Sequence, residues 1–176
     1  MSNNKNIALR ALTKADIEKT LKWHNQKDVR DLYLGHPFPI NQEIEEIWYN
    51  KILTSNYPVT VFGIELIENN TLIGLTFLKN INNINRSAEF AIYIGDINSR
   101  GKGYPKEATL ETLEFAFLNL GLNRIYLKVL EKNNVAYNLY KKVGFKKEGI
   151  IRQSVFKNGE FHNEILMSIL NKEFDV

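Results

Sequence analysis

The chain has 176 residues, 44% of them hydrophobic and 24% charged, the proportions of one globular domain long enough to bury a sizeable core. A net charge of +3 suits an anionic ligand but lies far below that of a dedicated nucleic-acid binder, and the absence of cysteine excludes disulfides, thiolate metal sites and a cysteine nucleophile. No apolar stretch approaches the roughly 18 residues of a membrane span, and the opening MSNNKNIALR lacks a signal peptide's apolar core, so a cytoplasmic protein without membrane or nucleic-acid partners is expected.

Residues 7–12 form a partly alternating run and read as a strand. Thr13 is placed to cap a helix, with Asp16 in the capping-box position. Ile17, Leu21, Trp23 and His24 carry that helix to about Asn25. Two prolines keep residues 35–39 out of any helix interior. A second helix is predicted from about Asn41, with Ile44, Ile47, Trp48 and Ile52 at helical spacing. Residues 59–67 and 71–78 read as paired strands around the turn Glu68-Asn69-Asn70. The run NINNIN, residues 80–85, reads as a loop, and residues 88–94 as the next strand.

A long helix is predicted over residues 104–120, with Leu113, Ala116, Phe117 and Leu120 on one face and Gly121 as its stop. Residues 124–130 are a strand rich in branched side chains. Asn133 is expected to cap a short helix that ends near Val143, ahead of Gly144. The last two strands, residues 145–156 and 160–170, flank Asn158-Gly159, a type I′ hairpin signal. This order predicts a mixed α/β (α+β) domain built around one sheet, without linker or repeat.

The loop NSRGKGYPKEA carries Arg100, Gly101, Lys102 and Gly103 at the end of a strand and the start of a helix. A helix N-terminus presents unpaired N–H groups and partial positive charge, and glycine lets a phosphate approach the backbone. A solvated basic turn is the alternative reading. The sequence matches neither the P-loop nor the dinucleotide G-x-G-x-x-G pattern.

Taken with NNVAYNLYKKVGF, residues 133–145, the loop resembles the GNAT superfamily of acetyl-coenzyme A dependent N-acetyltransferases. The family's loop pattern R/Q-x-x-G-x-G/A corresponds to Arg100-Gly101-Lys102-Gly103-Tyr104-Pro105. The later pattern N-x-x-A-x-x-x-Y-x-K-x-G-F is filled at Asn133, Ala136, Tyr140, Lys142, Gly144 and Phe145. The element order agrees over nearly the whole chain. NGEFHNEILMSIL and LKWHN are similar to the branch with ribosomal-protein, diamine and amino-sugar acetyltransferases. Pro105 departs from the pattern and removes one N–H, although proline suits a first helical turn.

The resemblance implies a single GNAT-like domain over residues 1–176, with a mostly antiparallel mixed sheet, a splay between central strands and flanking helices. It implies acetyl transfer from acetyl-CoA, the co-substrate, to a primary amine of a small molecule or peptide by direct attack, without metal. It also implies a possible homodimer. A non-catalytic acetyl-CoA sensor is the alternative. The pyrophosphate is expected on the N–H groups of Gly101, Lys102, Gly103, Tyr104 and Lys106 beside Pro105, with help from Arg100 and the Lys102 side chain. Pantetheine is expected along the backbone of Ile92, Tyr93 and Ile94 and against Asn133 and Ala136.

An amine with a pKa near 10.4 arrives protonated at neutral pH, so a base must take its proton. Glu89 is the first candidate through the resemblance, directly or through water; pairing with Arg86 or a lysine is its ordinary reading. His162 is the second candidate. Tyr140 is expected to serve the leaving thiolate as acid, and a core tyrosine is the other reading of that position. Trp23, His24, Tyr33, His36, Phe38, Arg152 and His162 lie in segments that line the acceptor side in relatives. Glu43, Glu45 and Glu46 either form part of a polyamine site or complement their helix dipole.

Overall fold

The structure, a computed structural model, describes residues 5–32, 38–54 and 59–174. A seven-stranded sheet has the order β1-β2-β3-β4-β5-β7-β6. Its strands are β1 (Ile7–Arg10), β2 (Thr60–Leu66), β3 (Thr71–Asn82), β4 (Ser87–Ile94), β5 (Arg124–Leu130), β6 (Lys146–Lys157) and β7 (Glu160–Leu170). All neighbours are antiparallel except β4 and β5.

Helices cover both faces. On one, α4 (Tyr104–Glu114), its continuation over Phe115–Asn119 and α5 (Asn134–Val143) pack Leu113, Ala116, Tyr140 and Val143 against Ala88, Phe90, Ile125 and Leu127. On the other lie α1 (Ile17–Asn25), α2 (Lys27–Leu32) and α3 (Gln42–Ile52), with Trp23, Val29 and Tyr49 against Leu75, Phe77 and Tyr93. Covered on both sides, β3 is buried without interruption from Leu72 to Leu78, the continuous apolar run of a central strand. Each of its leucine, isoleucine and phenylalanine side chains contributes about 1.5–3 kcal/mol on burial.

Local signals account for most boundaries. Thr13 and Asp16 close a capping box, with the Thr13 N–H donating to Asp16 Oδ2 at 2.7 Å, although the first turn is 3₁₀ over Lys14–Asp16. Asn41 Oδ1 accepts from the Ile44 N–H at 3.0 Å and starts α3. Asn158 and Gly159 both have positive φ, +52° and +84°, as a type I′ turn requires.

Four boundaries differ from the sequence expectation. The first strand ends at Arg10 rather than Leu12, where Arg10 pairs with Asp16 at 2.8 Å. β3 runs on to Asn82, so only residues 83–86 of the NINNIN region and its flank form the turn. Helix α2 is unannounced by any apolar period. The long helix widens to a π-turn over Phe115–Asn119, and Leu120 is left 40% exposed while Leu113 and Ala116 are fully buried. The extra residue in the turn rotates the end of the helix, Leu120 included, away from the core.

Candidate active site

The β4–β5 pairing lasts only from Ser87–Arg124 to Glu89–Tyr126. Beyond it β4 stays with β3 and β5 with β7, so the two strands part. The ladder decides which backbone groups face the opening. The Gly95 N–H donates to Ile73 O across β3 at 3.0 Å. Antiparallel pairs alternate, so Tyr93 and Ala91 turn their N–H and C=O groups to β3, while Phe90, Ile92 and Ile94 turn theirs to the gap. The expected trio is thereby corrected: Ile92 and Ile94 can offer backbone groups to a ligand in the opening, whereas the Tyr93 backbone is turned to β3 and its side chain, 8% exposed, packs among Trp23, Phe77 and His24.

Past Ile94 the chain turns through Asp96, whose carboxylate accepts from the Asn98 N–H at 3.4 Å, into the loop before α4. Gly101 and Gly103 have φ of +75° and +86°, and a Cβ on either would meet no atom within 4 Å. The cradle is therefore open. Among the described residues no backbone bond occupies the N–H groups of Gly101, Lys102, Gly103 or Tyr104. Two expected donors are otherwise engaged. The Lys106 N–H donates to Gly103 O at 3.0 Å, closing the first helical turn. Arg100 donates from Nε to Ile94 O at 3.0 Å and from its guanidinium to Asp28 on α2. That hydrogen bond holds the Asp28 carboxyl below its usual range. Pro105 lies in the first turn of α4, where its missing N–H leaves the four preceding donors intact.

Facing this loop across the gap, Asn133 Oδ1 accepts from the Ala136 N–H at 3.1 Å and caps α5, which leaves the Asn133 amide NH₂ as a donor. Tyr140 is 7% exposed, edge-on to Phe90 at 6.2 Å and tilted on Phe145 at 5.7 Å. A phenol on α5 thus stands beside the strand segment that lines the opening.

The opposite face of β4 carries Glu89, Ala91 and Tyr93, as strand alternation requires. Glu89 occupies the last paired rung and accepts from Asn80 Nδ2 at 2.9 Å. Tyr93 Oη lies 3.1 Å from His24 Nε2, and His24 Nδ1 lies 2.7 Å from Glu45 Oε2. Glu45 is fully buried, and its Oε1 has no hydrogen-bond partner among the described residues. Sequence reasoning treats Glu45 as part of an acidic helix start and misses the connection; a histidine paired with a buried carboxylate on a later helix carries no local signal.

The remaining acceptor candidates scatter. Trp23 is 5% exposed and fills the space beside Gly95, where a Cβ would approach it to 2.0 Å. It is core, because the helix that aims His24 at Tyr93 turns its neighbour inward. Phe38 is 66% exposed, and Arg152 lies on the exposed side of β6. Tyr33 and His36 lie outside the described residues, as does most of the proline-bounded stretch around them. His162 lines a depression of about 410 Å³ with Glu131, Lys132, Gln153, Phe161 and Asn163. Its Nε2 is 3.2 Å from Lys132 Nζ and 3.3 Å from Lys157 O. Lys157 itself donates to the Asp31 carbonyl at 3.2 Å, tying the β6–β7 hairpin to the last turn of α2, and burial lowers its pKa.

A splayed parallel strand pair, an open glycine cradle at a helix start and a tyrosine across the gap define an acyltransferase that takes its acyl group from coenzyme A. The profile of the family described as "Acetyltransferase (GNAT) domain" matches residues 6–146, and the chain belongs to that family. It is similar to the spermidine N(1)-acetyltransferase of Vibrio cholerae serotype O1, with 34% identity over 97% of this chain and 96% of that one. It is similar also to the spermidine N(1)-acetyltransferase of Escherichia coli K12, with 28% identity over 99% and 91%. The solved structure of the Vibrio cholerae spermidine N-acetyltransferase in complex with CoA and spermine superposes with a TM-score of 0.90, at 32% identity, over 97% of this chain and 98% of that one. The chain is an acetyl-CoA dependent N-acetyltransferase acting on a primary amine. These relatives favour the enzyme over the non-catalytic sensor.

Proposed function

We propose that the acceptor is a polyamine of the spermidine class, acetylated at a primary amine. The observation that carries this reading is the end-to-end likeness to the Vibrio cholerae spermidine acetyltransferase, 34% identical over 97% of the chain. The acceptor face adds chemistry in its favour. Glu89 and the exposed Glu43 and Glu46 give a polycation several carboxylates to approach, and amines with pKa values near 10.4 arrive charged.

Acetyl-CoA binds with its pyrophosphate on the N–H groups of Gly101, Lys102, Gly103 and Tyr104, where helix dipole and open backbone favour an anion. Its pantetheine arm runs along the Ile92 and Ile94 backbone and past Asn133. Glu89 accepts the first proton of the ammonium, through water where it does not reach directly. The free amine attacks the thioester carbonyl, whose oxygen draws on a backbone N–H of the β4 segment that faces the gap. Tyr140 gives a proton to the departing thiolate. The enzyme works in the cytoplasm and as a homodimer. The edge strand β6, whose Phe156 pairs with Phe161 of β7, the two rings 5.0 Å apart and each residue 62% exposed, suits a homodimer. Among the described residues no helix is long and apolar enough to cross a membrane.

The test is CoA-thiol release with spermidine, spermine, an amino sugar and a ribosomal-protein N-terminal peptide as acceptors. The polyamines are expected to give the highest kcat/KM. Turnover confined to the sugar or the peptide refutes the polyamine reading and leaves the acetyltransferase intact.

A further inference from the structure

An amine nitrogen that enters as ammonium must lose two protons before the amide is complete. One leaves before attack, so that the lone pair is available. The other leaves after the C–N bond has formed, when the nitrogen again carries positive charge. As the C–S bond breaks, the thiolate takes one proton from Tyr140. Both nitrogen protons pass on to solvent and Tyr140 regains one from it, so each turnover puts one proton onto sulfur and releases one. Glu89 accounts for the first of the nitrogen's protons, so the second needs its own acceptor.

We propose that Tyr93, His24 and Glu45 form a proton relay that takes this second proton. The Tyr93 hydroxyl receives it from nitrogen while passing its own proton to His24 Nε2, 3.1 Å away. The resulting imidazolium is held by the Glu45 carboxylate, 2.7 Å from Nδ1. Glu45 on Nδ1 sets the tautomer: that nitrogen carries the hydrogen, and the Nε2 lone pair faces the phenol. The order carboxylate, imidazole, hydroxyl is the logic by which a base is oriented by a third group.

Position supports the role. Tyr93 sits on the parted segment of β4, on the same face as Glu89, and its ring is fixed edge-on to Trp23 at 6.2 Å and stacked on Phe77 at 6.1 Å. The ring of His24 is fixed edge-on to Trp48 at 5.3 Å. Packing alone does not explain Glu45. A fully buried carboxylate with one oxygen unpartnered among the described residues is costly, whereas a glutamine there would pack equally well without the charge. A carboxylate is needed where a neighbouring imidazole becomes charged.

The relay rests on amine acetylation and not on the polyamine reading, so it is tested with whichever primary amine the wild type acetylates fastest. A wild type that acetylates some other amine but no polyamine overturns the acceptor reading alone. Three variants of the full chain are compared by thiol release: Tyr93→Phe, His24→Ala and Glu45→Gln. Each is expected to lower kcat about 10²-fold while KM for acetyl-CoA stays at the wild-type value. Added imidazole is expected to restore His24→Ala by about tenfold or more, because a free base can enter the space left by the ring. Wild-type kcat in Tyr93→Phe overturns the relay, and so does a His24→Ala rate indifferent to imidazole. If His24→Ala does not fold, the isosteric Tyr93→Phe decides alone.

Discussion

Gly103 separates the two forces that a pyrophosphate cradle uses. Its φ is +86° and ψ −12°, and a Cβ would meet nothing within 4 Å. Gly103→Ala therefore adds backbone strain and no clash. Left-handed backbone costs a residue with a Cβ about 1–2 kcal/mol. If the loop relaxes in the free protein and is restored by the ligand, acetyl-CoA binding weakens about 5- to 30-fold, at 1.4 kcal/mol per tenfold. If the loop is held by the fold, the same energy appears as a fall in Tm of about 2–4 °C per kcal/mol. Gly103→Glu has the same strain and adds an anion at the helix start. At about 6 Å and an effective dielectric near 20, each phosphate charge then repels it by roughly 3 kcal/mol. The expected loss is more than about 10²-fold beyond that of the alanine variant. Salt tells the two apart, because the Debye length shrinks from about 8 Å to about 3 Å between physiological and 1 M ionic strength. The Glu-specific loss is expected to narrow with salt, and the Ala loss to persist. Calorimetric titration of acetyl-CoA reads both. A folded Gly103→Glu protein with wild-type affinity refutes the cradle.

Three further outcomes are expected. Tyr140→Phe keeps the ring against Phe90 and removes only the hydroxyl, so kcat falls about 10²–10⁴-fold with acetyl-CoA affinity unchanged; wild-type kcat makes Tyr140 a core residue only. Glu89→Gln loses most rate at neutral pH and recovers as more amine arrives unprotonated; a pH–rate profile offset from wild type by a constant factor assigns Glu89 to positioning instead. One contribution to acid stability comes from the Asp16 carboxyl, which burial pushes up but the Arg10 and Thr13 hydrogen bonds bring below its usual value. Its folded pKa is thus depressed, so its stabilisation is present above the ordinary aspartate range near 4 and is lost as pH falls through the folded value. Asp16→Asn is expected to lower Tm at pH 7 and to flatten the Tm decline below about pH 4, read by thermal melts across pH; an unchanged decline refutes the assignment.

The proposed cofactor half of the site is legible in the sequence because its signals are local. Gly101, Gly103 and Gly144 all have positive φ, and Asn133 caps its own helix. Each of these roles is decided within a few residues of chain. Arg100 marks the limit of that reading. Its charge beside the glycines suggests a phosphate ligand, yet its partner is Asp28, 72 residues earlier in the chain. Asp28 sits on α2, a helix of six residues, too short to display an apolar period.

The acceptor half is assembled by register and helix azimuth, which no local pattern encodes. Whether the Tyr93 backbone faces the cleft or β3 depends on which rung of the β3–β4 ladder it occupies, and one shifted residue would exchange its orientation with that of Ile92. Trp23 and His24 are neighbours in the chain, yet a step of about 100° around the helix sends one into the core beside Gly95 and the other to Tyr93. His24 meets Glu45 across 21 residues and Tyr93 across 69. The acidic helix start offers Glu43, Glu45 and Glu46 as equivalent residues, and only packing makes Glu45 the buried one while its neighbours stay exposed. A site made of such meetings can vary without disturbing the glycine loop before α4, since none of its residues belongs to that loop.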